Sequence, residues 1–490
     1  MGFVPFRFSL VPWGMSLRVV NPWTGDELAT VPLATAADAD RAVARAVEAF
    51  AKTRIAPRYA RSELLEGIAA RLVEEKEAFA ALLSAEAGKP LAAARVEVDR
   101  AVITFRLGAE VARTLVGEQI PLDGTATTAN VDGYALRAPR GPILGISPFN
   151  FPLNLVAHKV APALAVGAPI VLKPAPQTPL TALKLGALIS ELAPETPWLQ
   201  VVPCEVAVAE QLVADDRFGY VTFTGSDAVG WKIKENAGKK PVCLELGGNA
   251  AAIVHSDLPD RAAAVRALVA SAFGYAGQTC IKVQRLFLHE EIAAPFLADF
   301  VAEMAAWTVA DPADPATKIG PVIDARAGAR ITALVAEAVE AGARPFATAS
   351  KFPDGGVARD GELAGNRIAP QLLDLDPVPA ARRQHLGVVT EEIFGPVVVV
   401  ERYRDFTDAI ARVNASRYGL QAAVFTDSNT RIYEAIRDLH VGGVVVNDAP
   451  SLRLDGMPYG GVKDSGLGRE GVRAAALEMT ETKMVLFRRR

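Results

Sequence analysis

The sequence predicts an α/β fold built on a parallel sheet with helices on both of its faces. Between Gly141 and Asn236, short apolar runs of strand character alternate with helical segments, which is typical of parallel strands joined by helical crossovers. A second α/β block begins near Gly247. The 490 residues, 50% hydrophobic and 22% charged, are long enough for two or three domains with large cores.

The segment before this alternation is predicted to be mostly helical. Short strand-like runs lie between Val19 and Leu33, and the Thr- and Gly-rich stretch 123–135 suits an exposed hairpin or a connection to a small appendage. Residues 1–14 lack the cleavage site of a signal peptide, so we interpret them as an extension ahead of Met15. Long helices are predicted over 35–52, 58–87 and 90–115.

The alternating region divides into four strands and four helices. Thr178 and Pro179 mark one helix start, because a capping residue there precedes a proline at the first helical position. This is a nucleotide-binding architecture, although a fold alone does not identify the ligand. The strands are predicted at 143–146, 170–172, 199–202 and 220–223, and the helices at 152–166, 179–192, 206–214 and 227–236.

The second block presents a cysteine in a turn. An amphipathic helix is predicted over 257–273 with Asp257 as its N-cap, and Gly277 then opens a turn that presents Cys280 before a strand at 283–288. A strand-like run at 484–487 suits an edge between subunits. Further helices are predicted at 325–341, 407–414 and 429–438, with a strand at 444–446.

Three residues are candidates for catalysis. Cys280, on a turn, is placed to meet a small molecule, whereas Cys243, the alternative nucleophile, lies inside a strand. Glu245 lies between two leucines, where desolvation would raise its pKa towards the range of a general base. Asn150 could donate to an oxyanion. The alternatives are a buried thiol at Cys280, a buried ion pair at Glu245 and a turn-forming amide at Asn150.

Two strand ends are candidates for binding a nucleotide. Lys173 follows the strand at 170–172, and ligands bind at the carboxyl ends of parallel strands. Gly225 and Ser226 separate a strand from the helix at 227–236, so a close backbone and a hydroxyl could hold a phosphate at that N-terminus. The dinucleotide fingerprint G-x-G-x-x-G is absent, which leaves a plain strand–helix turn as the alternative.

Composition and motifs argue against several other functions. A net charge of −4 argues against nucleic acid as the main partner, and no apolar run approaches the roughly 18 residues that span a bilayer. Three cysteines do not form a disulfide scaffold, so we expect a cytoplasmic protein with reduced thiols. The five histidines lack metal-ligand spacing, and no C-x-x-C, G-x-S-x-G or Walker A motif occurs; we expect no metal.

Taken together, these motifs resemble the aldehyde dehydrogenase superfamily over nearly the whole chain from about Val19. Within it, the chain is similar to the branch of lactaldehyde, semialdehyde and non-phosphorylating glyceraldehyde-3-phosphate dehydrogenases. The motifs that carry the resemblance are, in chain order, 148–152 (PFNFP), 173–174 (KP), 223–226 (FTGS), 245–248 (ELGG), 277–280 (GQTC), 392–396 (EIFGP) and 458–463 (PYGGVK).

The resemblance implies oxidation of an aldehyde to a carboxylic acid with NAD or NADP. Cys280 would attack the carbonyl, Asn150 and the Cys280 backbone N–H would hold the oxyanion, and Glu245 would activate the water that hydrolyses the thioester. The residues implied in cofactor binding are Ser147, Pro148, Phe149, Lys173, Pro176, Gly225, Ser226, Gly247, Glu392 and Phe394. Those implied around the aldehyde are Arg100, Phe151, Leu155, His158, Thr279, Ile281, Arg453 and Tyr459.

One departure from the family pattern bears on the cofactor. NAD-preferring relatives commonly carry a glutamate three residues after the lysine, where it binds the ribose hydroxyls, and here that position is Pro176. Without that carboxylate, and with Lys173 to attract a 2′-phosphate, we expect NADP to be accepted and favoured over NAD.

The substrate is predicted from two arginines. Arg100 and Arg453 would favour a carboxylate or a phosphate, so we expect a short anionic aldehyde such as a semialdehyde. Small hydroxyaldehydes such as lactaldehyde are the runner-up, and the alternative for both arginines is pairing with acids. Thr279 replaces the arginine that phosphate-recognising relatives often carry before the cysteine, which weakens the phosphate option.

The resemblance also implies a division into domains and a homodimer or homotetramer. The cofactor domain would comprise 1–116 and 137–246, the catalytic domain 247–446, and a small β oligomerisation arm 117–136 with 471–490; residues 447–470 would return to the cofactor domain. Two other functions stay open. One is a CoA-acylating dehydrogenase, in which thiolysis replaces hydrolysis, and the other is a catalytically silent structural protein on the same fold.

Overall fold

The computed structural model of the protein describes residues 15–346 and 365–489. These residues form two domains with mainly parallel sheets, which we call the first and second domains, and a three-stranded antiparallel arm. The extension predicted at 1–14, and residue 490 at the end of the predicted arm, lie outside the described residues. In the described ranges, no helix combines the length and the apolar character needed to cross a bilayer.

The N-terminal region consists of a two-stranded antiparallel ribbon followed by four helices. One long helix was predicted over 58–87, and this is wrong. The chain leaves the helical conformation at Glu75 (φ −99°, ψ 17°), whose carboxylate pairs with both Arg71 and Lys184. The elements are β1 Ser16–Val20, β2 Glu27–Pro32, α1 Ala36–Thr53, α2 Arg58–Glu74, α3 Lys76–Ala87 and α4 Leu91–Thr114.

The first domain then alternates strands and helices as predicted. After the arm strands β3 and β4, its elements are ordered β5-α5-β6-α6-β7-α7-β8-α8-β9, and the parallel sheet has the order β9-β8-β5-β6-β7. The bounds are β3 Glu118–Ile120, β4 Val131–Pro139, β5 Ile143–Ile146, α5 Asn154–Val166, β6 Ile170–Lys173, α6 Pro179–Leu192, β7 Leu199–Val201, α7 Val206–Ala214, β8 Tyr220–Thr224, α8 Asp227–Asn236 and β9 Val242–Glu245.

Alternate residues of these strands pack into two different cores. Ile143 and Ile170 belong to the core formed with α2, α4 and α5, whereas Leu144 and Val171 belong to the core formed with α1 and α7. Because successive side chains of a strand point to opposite faces, this division means that helices cover both faces of the sheet. The predicted fold class is confirmed.

The second domain is built around a seven-stranded sheet of order β12-β13-β14-β11-β10-β16-β17, parallel except for β12. A single 3₁₀ turn, Gly274–Gly277, separates α9 from the cysteine loop. The bounds are β10 Ala251–Val254, α9 Arg261–Phe273, β11 Arg285–His289, α10 Glu290–Met304, α11 Ala325–Glu340, β12 Arg344–Pro345, β13 Gln371–Asp374, α12 Ala380–Arg383, α13 Gly387–Thr390, β14 Val397–Tyr403, α14 Phe406–Asn414, β15 Tyr418–Gly419, β16 Gln421–Phe425, α15 Asn429–Asp438 and β17 Gly443–Val446.

The start predicted for α9 at Asp257 is wrong. The helix begins at Arg261, and Asp260 caps it by accepting a hydrogen bond from the Ala263 N–H. The carboxylate of Asp257 is instead bound to the Thr426 hydroxyl and to Arg431, so tertiary contacts take this side chain away from the helix.

The C-terminal segment returns to the first domain and then completes the arm. β19 pairs antiparallel with β9, so that Gly466 lies opposite Glu245. α16 lies at the start of the predicted second arm segment, yet its apolar residues pack into the first domain's core. β20 pairs antiparallel with all of β4. The bounds are β18 Val462–Lys463, β19 Gly466–Leu467, α16 Val472–Glu478 and β20 Thr480–Arg488.

Candidate active site

Cys280 lies on a loop held in an uncommon backbone conformation. Tyr275, Ala276 and Gly277 all have positive φ angles (51°, 54° and 68°), which only glycine adopts without strain. A Cβ on Gly277 would also collide with the Gly395 carbonyl, so the loop can pack only because this residue is glycine. The strained loop therefore projects the following residues towards the first domain.

The side chain of Gln278 ties this loop to its surroundings. Its carbonyl oxygen accepts a hydrogen bond of 2.8 Å from the Ile323 N–H, and its backbone oxygen accepts one of 2.9 Å from the Asn150 amide. Asn150 itself lies between β5 and α5 of the first domain. The Asn150 amide is thus anchored directly to the loop that carries Cys280.

Cys280 lies where two cavities meet. The larger cavity has a volume of about 740 Å³ and runs along the strand ends of the first domain. The smaller one, about 380 Å³, lies between α4, α5 and the cysteine loop. Cys280, Asn150 and Leu155 line both cavities. A ligand in either cavity can therefore reach the same sulfur atom.

Burial suppresses the ionisation of this thiol. It raises the pKa of Cys280 to about 12, and a 3.1 Å hydrogen bond between Sγ and the Tyr459 hydroxyl acts in the opposite direction. Cys243 is 2% exposed, belongs to the apolar core and lines neither cavity. It is a packing residue, as its place inside a strand suggested.

Glu245 is a buried carboxylate with one oxygen free. It ends β9 at 3% exposure, and its Oε1 accepts a hydrogen bond from the Glu470 N–H. Glu245 lines the larger cavity, and within the described residues its buried Oε2 has no hydrogen-bond partner. Burial, and then the charge of Glu470, raises the pKa of Glu245 well above its usual range. Such an oxygen can accept a proton from a water molecule in the cavity.

Every residue predicted to bind the cofactor lines the larger cavity. Phe149 and Phe394 pack edge to face across it with their ring centroids 5.8 Å apart. Glu392 Oε1 accepts a hydrogen bond of 3.0 Å from the Gly248 N–H, and burial raises the pKa of Glu392 to about 7. The predicted residues on its wall are Ser147, Pro148, Phe149, Lys173, Pro176, Gly225, Ser226, Gly247, Glu392 and Phe394.

Two groups on this wall fit a phosphorylated ligand. Ser226 occupies the N-cap position of α8, but its hydroxyl makes no capping hydrogen bond and is available to a ligand. Lys173 pairs with no carboxylate in the part of the chain that the structure describes. Burial lowers the pKa of Lys173, while Cys204 and Glu205 act in the opposite direction.

The smaller cavity contains seven of the eight residues predicted around the aldehyde, namely Arg100, Phe151, Leu155, Thr279, Ile281, Arg453 and Tyr459. His158 does not line it. This side chain is 1% exposed, and its Nε2 lies 3.0 Å from an Asp455 oxygen behind the cavity wall. Burial, and then the charge of Arg453, lowers the pKa of His158, so the imidazole stays neutral.

Both arginines of the smaller cavity are paired with acids. Arg100 donates two hydrogen bonds, of 3.1 and 2.8 Å, to the carboxylate of Asp455. Arg453 donates one of 2.9 Å to Glu470, which also binds Lys159 at 3.1 Å. The Arg453 Nε is buried and has no partner in the described residues, so one donor of this guanidinium remains open.

These ion pairs also set the charge of the two acids. Burial opposes ionisation of Asp455, but its hydrogen bonds with His158 and Arg100 hold its pKa well below the usual range. Burial likewise opposes ionisation of Glu470, and Lys159 and Arg453 outweigh it and hold the pKa at about 2. Both carboxylates are therefore ionised at neutral pH and keep the two guanidinium groups in place.

Comparison with known proteins places this site in a family. The model of the aldehyde dehydrogenase family matches residues 13–485. The chain belongs to the aldehyde dehydrogenase family. Its fold is that of an aldehyde dehydrogenase.

Three similar proteins illustrate the range of the family. The 3-sulfolactaldehyde dehydrogenase of Priestia aryabhattai is 38% identical over 96% of this chain and 94% of its own length. The structure of aldehyde dehydrogenase 21 of Physcomitrella patens in complex with the reaction product succinate has a TM-score of 0.91 and 39% identity over 98% of this chain and 96% of that one. The NADP complex of a glyceraldehyde-3-phosphate dehydrogenase from Methanocaldococcus jannaschii has a TM-score of 0.89 and 32% identity, over 96% of this chain and 99% of that one.

Sequence reasoning missed several residues of this aldehyde dehydrogenase's cavities. Lys318 lies at the smaller cavity with its ammonium 4.8 Å from the Trp307 ring, and no acid in the described residues pairs with it. Glu210 and Lys232 form an ion pair on the wall of the larger cavity. Neither Lys318 nor the Glu210–Lys232 pair belongs to a recognisable sequence motif, so only the folded structure shows that they lie at the cavities. No group of three or more possible metal ligands occurs in the described ranges.

Proposed function

We propose that this aldehyde dehydrogenase oxidises a small anionic aldehyde to its carboxylic acid with NADP or NAD, through a covalent intermediate on Cys280. The observation that carries the proposal is that Cys280 lines both cavities together with Asn150. A nucleotide in one cavity and an aldehyde in the other would meet at this sulfur atom.

The proposed chemistry assigns one task to each catalytic residue. The thiolate of Cys280 attacks the carbonyl carbon, and the Asn150 amide with the Cys280 backbone N–H holds the resulting oxyanion. NAD(P) bound in the larger cavity supplies the acceptor for the hydride that leaves this carbon. Glu245, which lines the same cavity and has one oxygen without a hydrogen-bond partner, then takes a proton from the water that hydrolyses the thioester. The products are the carboxylic acid and the free thiol.

The residues of the larger cavity suit a dinucleotide phosphate. Ser226 and the N-terminus of α8 would bind the pyrophosphate, and Lys173 would bind the adenosine ribose or its 2′-phosphate. Glu392 would bind the ribose next to the nicotinamide. Because Pro176 puts no carboxylate beside Lys173, we propose that NADP is preferred. Ratios of kcat/KM for NADP and NAD test this preference, and a strong preference for NAD would refute it.

Charge in the smaller cavity supports an anionic substrate. Three cations line this cavity, Arg100, Arg453 and Lys318. The carboxylates that pair with the two arginines, Asp455 and Glu470, are ionised at neutral pH and do not line it. The raised pKa of Glu245 adds little negative charge at rest. The balance is positive, and a carboxylate or sulfonate can accept hydrogen bonds from the guanidinium groups of Arg100 and Arg453, which line the cavity.

Two relatives act on compounds of this kind. One is named for 3-sulfolactaldehyde, and another is bound to succinate as its reaction product. Both compounds are short and carry a negative charge, which agrees with the charge balance of the smaller cavity. Small neutral hydroxyaldehydes remain the second candidate, because Thr279 and Ser451 on the same wall offer hydroxyl groups.

The direct test follows NADPH and NADH formation across a panel of anionic, hydroxylated and aromatic aldehydes. We expect the highest kcat/KM with a short aldehyde that carries a carboxylate or a sulfonate. Cys280→Ser should abolish oxidation of all of them, and Cys243→Ser is the matched control that should keep it. Oxidation by the Cys280→Ser variant at the wild-type rate would refute the mechanism.

Product analysis separates hydrolysis from CoA acylation. We expect the free acid at the same rate with and without CoA, because Glu245 provides a base for water. A CoA-dependent rate, with a thioester of CoA as product, would instead support the acylating alternative.

We further propose that the arm makes the enzyme a homodimer or homotetramer. β20 is an edge strand of the arm sheet, and it exposes Met484, Leu486 and Phe487. An apolar strand with an unpaired edge invites pairing with another chain. Sedimentation should give an oligomer for the full chain and a smaller species when Leu486 and Phe487 are replaced by lysine.

The unpaired thiols agree with a reducing, cytoplasmic compartment.

A further inference from the structure

The hydroxyl of Tyr459 is placed to act on the nucleophile rather than only to line the cavity. It lies 3.1 Å from Cys280 Sγ and, in the described part of the chain, is the one hydrogen-bond partner of that sulfur. One N–H of the Asn150 amide donates to the Gln278 backbone carbonyl, and the amide makes no hydrogen bond to this sulfur among the described residues. Among the described residues, Tyr459 is therefore the side chain that can influence the Cys280 sulfur through a hydrogen bond.

The phenol is held in position by its own backbone. Tyr459 and Glu470 exchange two backbone hydrogen bonds, of 2.9 and 2.7 Å, and the Glu470 carboxylate binds Arg453. The Arg453 guanidinium in turn lies over the Tyr459 ring, 3.8 Å from its centroid. A cation over the face of a phenol draws electron density from the ring, which makes its hydroxyl a stronger hydrogen-bond donor.

The surroundings of the contact strengthen it. Cys280 and Tyr459 pack with the apolar residues Ile281, Leu420 and Met457, which cover one side of the contact. Burial, and then the charge of the Cys280 thiolate, raises the pKa of Tyr459 well above its usual range, so the phenol keeps its proton at neutral pH. A hydrogen bond to a charged acceptor in such a setting is among the stronger ones in proteins.

We propose that the Tyr459 hydroxyl donates a hydrogen bond to the Cys280 thiolate, and that Arg453 above the ring strengthens this bond. Arg453, which lines the smaller cavity, is thereby linked to Cys280 through the ring of Tyr459. The inference rests on the proposed role of Cys280 as nucleophile.

The test uses the full-length enzyme without cofactor. Cys280 is alkylated with iodoacetamide at a series of pH values, and the modified peptide is quantified by mass spectrometry. Tyr459→Phe should slow alkylation at pH 8 about tenfold and move the thiolate absorbance near 240 nm about one pH unit higher, since a hydrogen bond to a charged group has about this strength. Tyr403→Phe is the matched control. Its buried hydroxyl donates to the Val254 carbonyl and lines neither cavity, so its loss should leave both readouts unchanged.

A second variant covers the case in which Tyr459→Phe fails to fold. Replacement of Tyr459 by 3-fluorotyrosine keeps the shape and makes the phenol more acidic, so the thiolate absorbance should move to lower pH. Unchanged pH profiles in both variants would overturn the inference. The proposed function fails separately, if enzyme alkylated at Cys280 still oxidises its aldehyde at the full rate.

Discussion

The two cavities that meet at Cys280 present their cations in different ways. In the larger cavity Lys173 pairs with no carboxylate among the described residues, and the phosphate-binding groups are a hydroxyl and a helix N-terminus. In the smaller cavity Arg100 and Arg453 are each held by a carboxylate. The first arrangement offers full positive charge to a highly charged ligand. The second offers guanidinium groups of fixed orientation with much of their charge already neutralised, which suits one small anion.

The largest expected effect concerns Glu245, near the junction of the cavities. Glu245→Gln should leave the first turnover intact and slow hydrolysis of the thioester about 10²- to 10⁴-fold. Stopped-flow measurements should then show a burst of NADPH equal to the enzyme concentration, followed by a slow steady state. In the wild type the steady rate should rise with pH through the raised pKa of Glu245, because the base must be deprotonated, and this rise should vanish in the variant. A variant without a burst would remove Glu245 from the hydrolytic step.

The next effect tests the paired cations of the smaller cavity. Arg453→Leu should lower kcat/KM for an anionic aldehyde about 30- to 150-fold, since it removes a charge-assisted hydrogen bond. A neutral aldehyde of the same length should lose far less. Arg453→Lys keeps the charge without the planar fork and should fall between the two. Equal losses on charged and neutral aldehydes would mean that Arg453 supports the fold of the site rather than the substrate.

The next prediction tests the role of Lys173 in the larger cavity by placing a carboxylate on the same wall. Pro176→Glu places a carboxylate on the wall that Lys173 shares. Repulsion of the 2′-phosphate should lower kcat/KM for NADP about 10- to 100-fold and leave NAD nearly unchanged. Pro176→Gln has the same size without the charge and should change the ratio little. If both variants weaken NADP equally, the loss of proline rather than the charge is responsible.

The smallest effect concerns Lys318, an exposed cation at the smaller cavity. Lys318→Gln should raise KM for an anionic aldehyde only about two- to fivefold, because exposed charges interact weakly through water. The effect should disappear at high ionic strength, whereas that of Arg453→Leu should persist. A salt-independent effect of Lys318→Gln would place its ammonium in direct contact with the substrate.

The walls of the two cavities differ in how much of them the sequence could predict. The larger one is built from residues at strand ends and helix starts, such as Lys173 after β6 and Ser226 before α8. Hydrophobic alternation locates those ends, and parallel strands bring them to one edge. For this reason each residue predicted there by the family resemblance lies on one wall.

The smaller cavity depends on partners far away in the chain. Arg100 meets Asp455 across 355 positions, and His158 meets the same carboxylate across 297. No local pattern around Arg100 or His158 identifies that acid. The sequence therefore left the pairing of the arginines with acids as an alternative, and it could not predict that His158 lies behind the cavity wall. The helix break at Glu75 and the later start of α9 have the same origin, since in each case a distant side chain binds the acid concerned.

The high pKa of the Cys280 thiol has a consequence for the survival of the enzyme. Peroxides and other electrophiles react with thiolates and hardly with neutral thiols. A sulfur that stays protonated between turnovers is therefore spared oxidation to sulfenic acid while the enzyme waits for its substrate. The same burial that slows its activation protects it from irreversible damage.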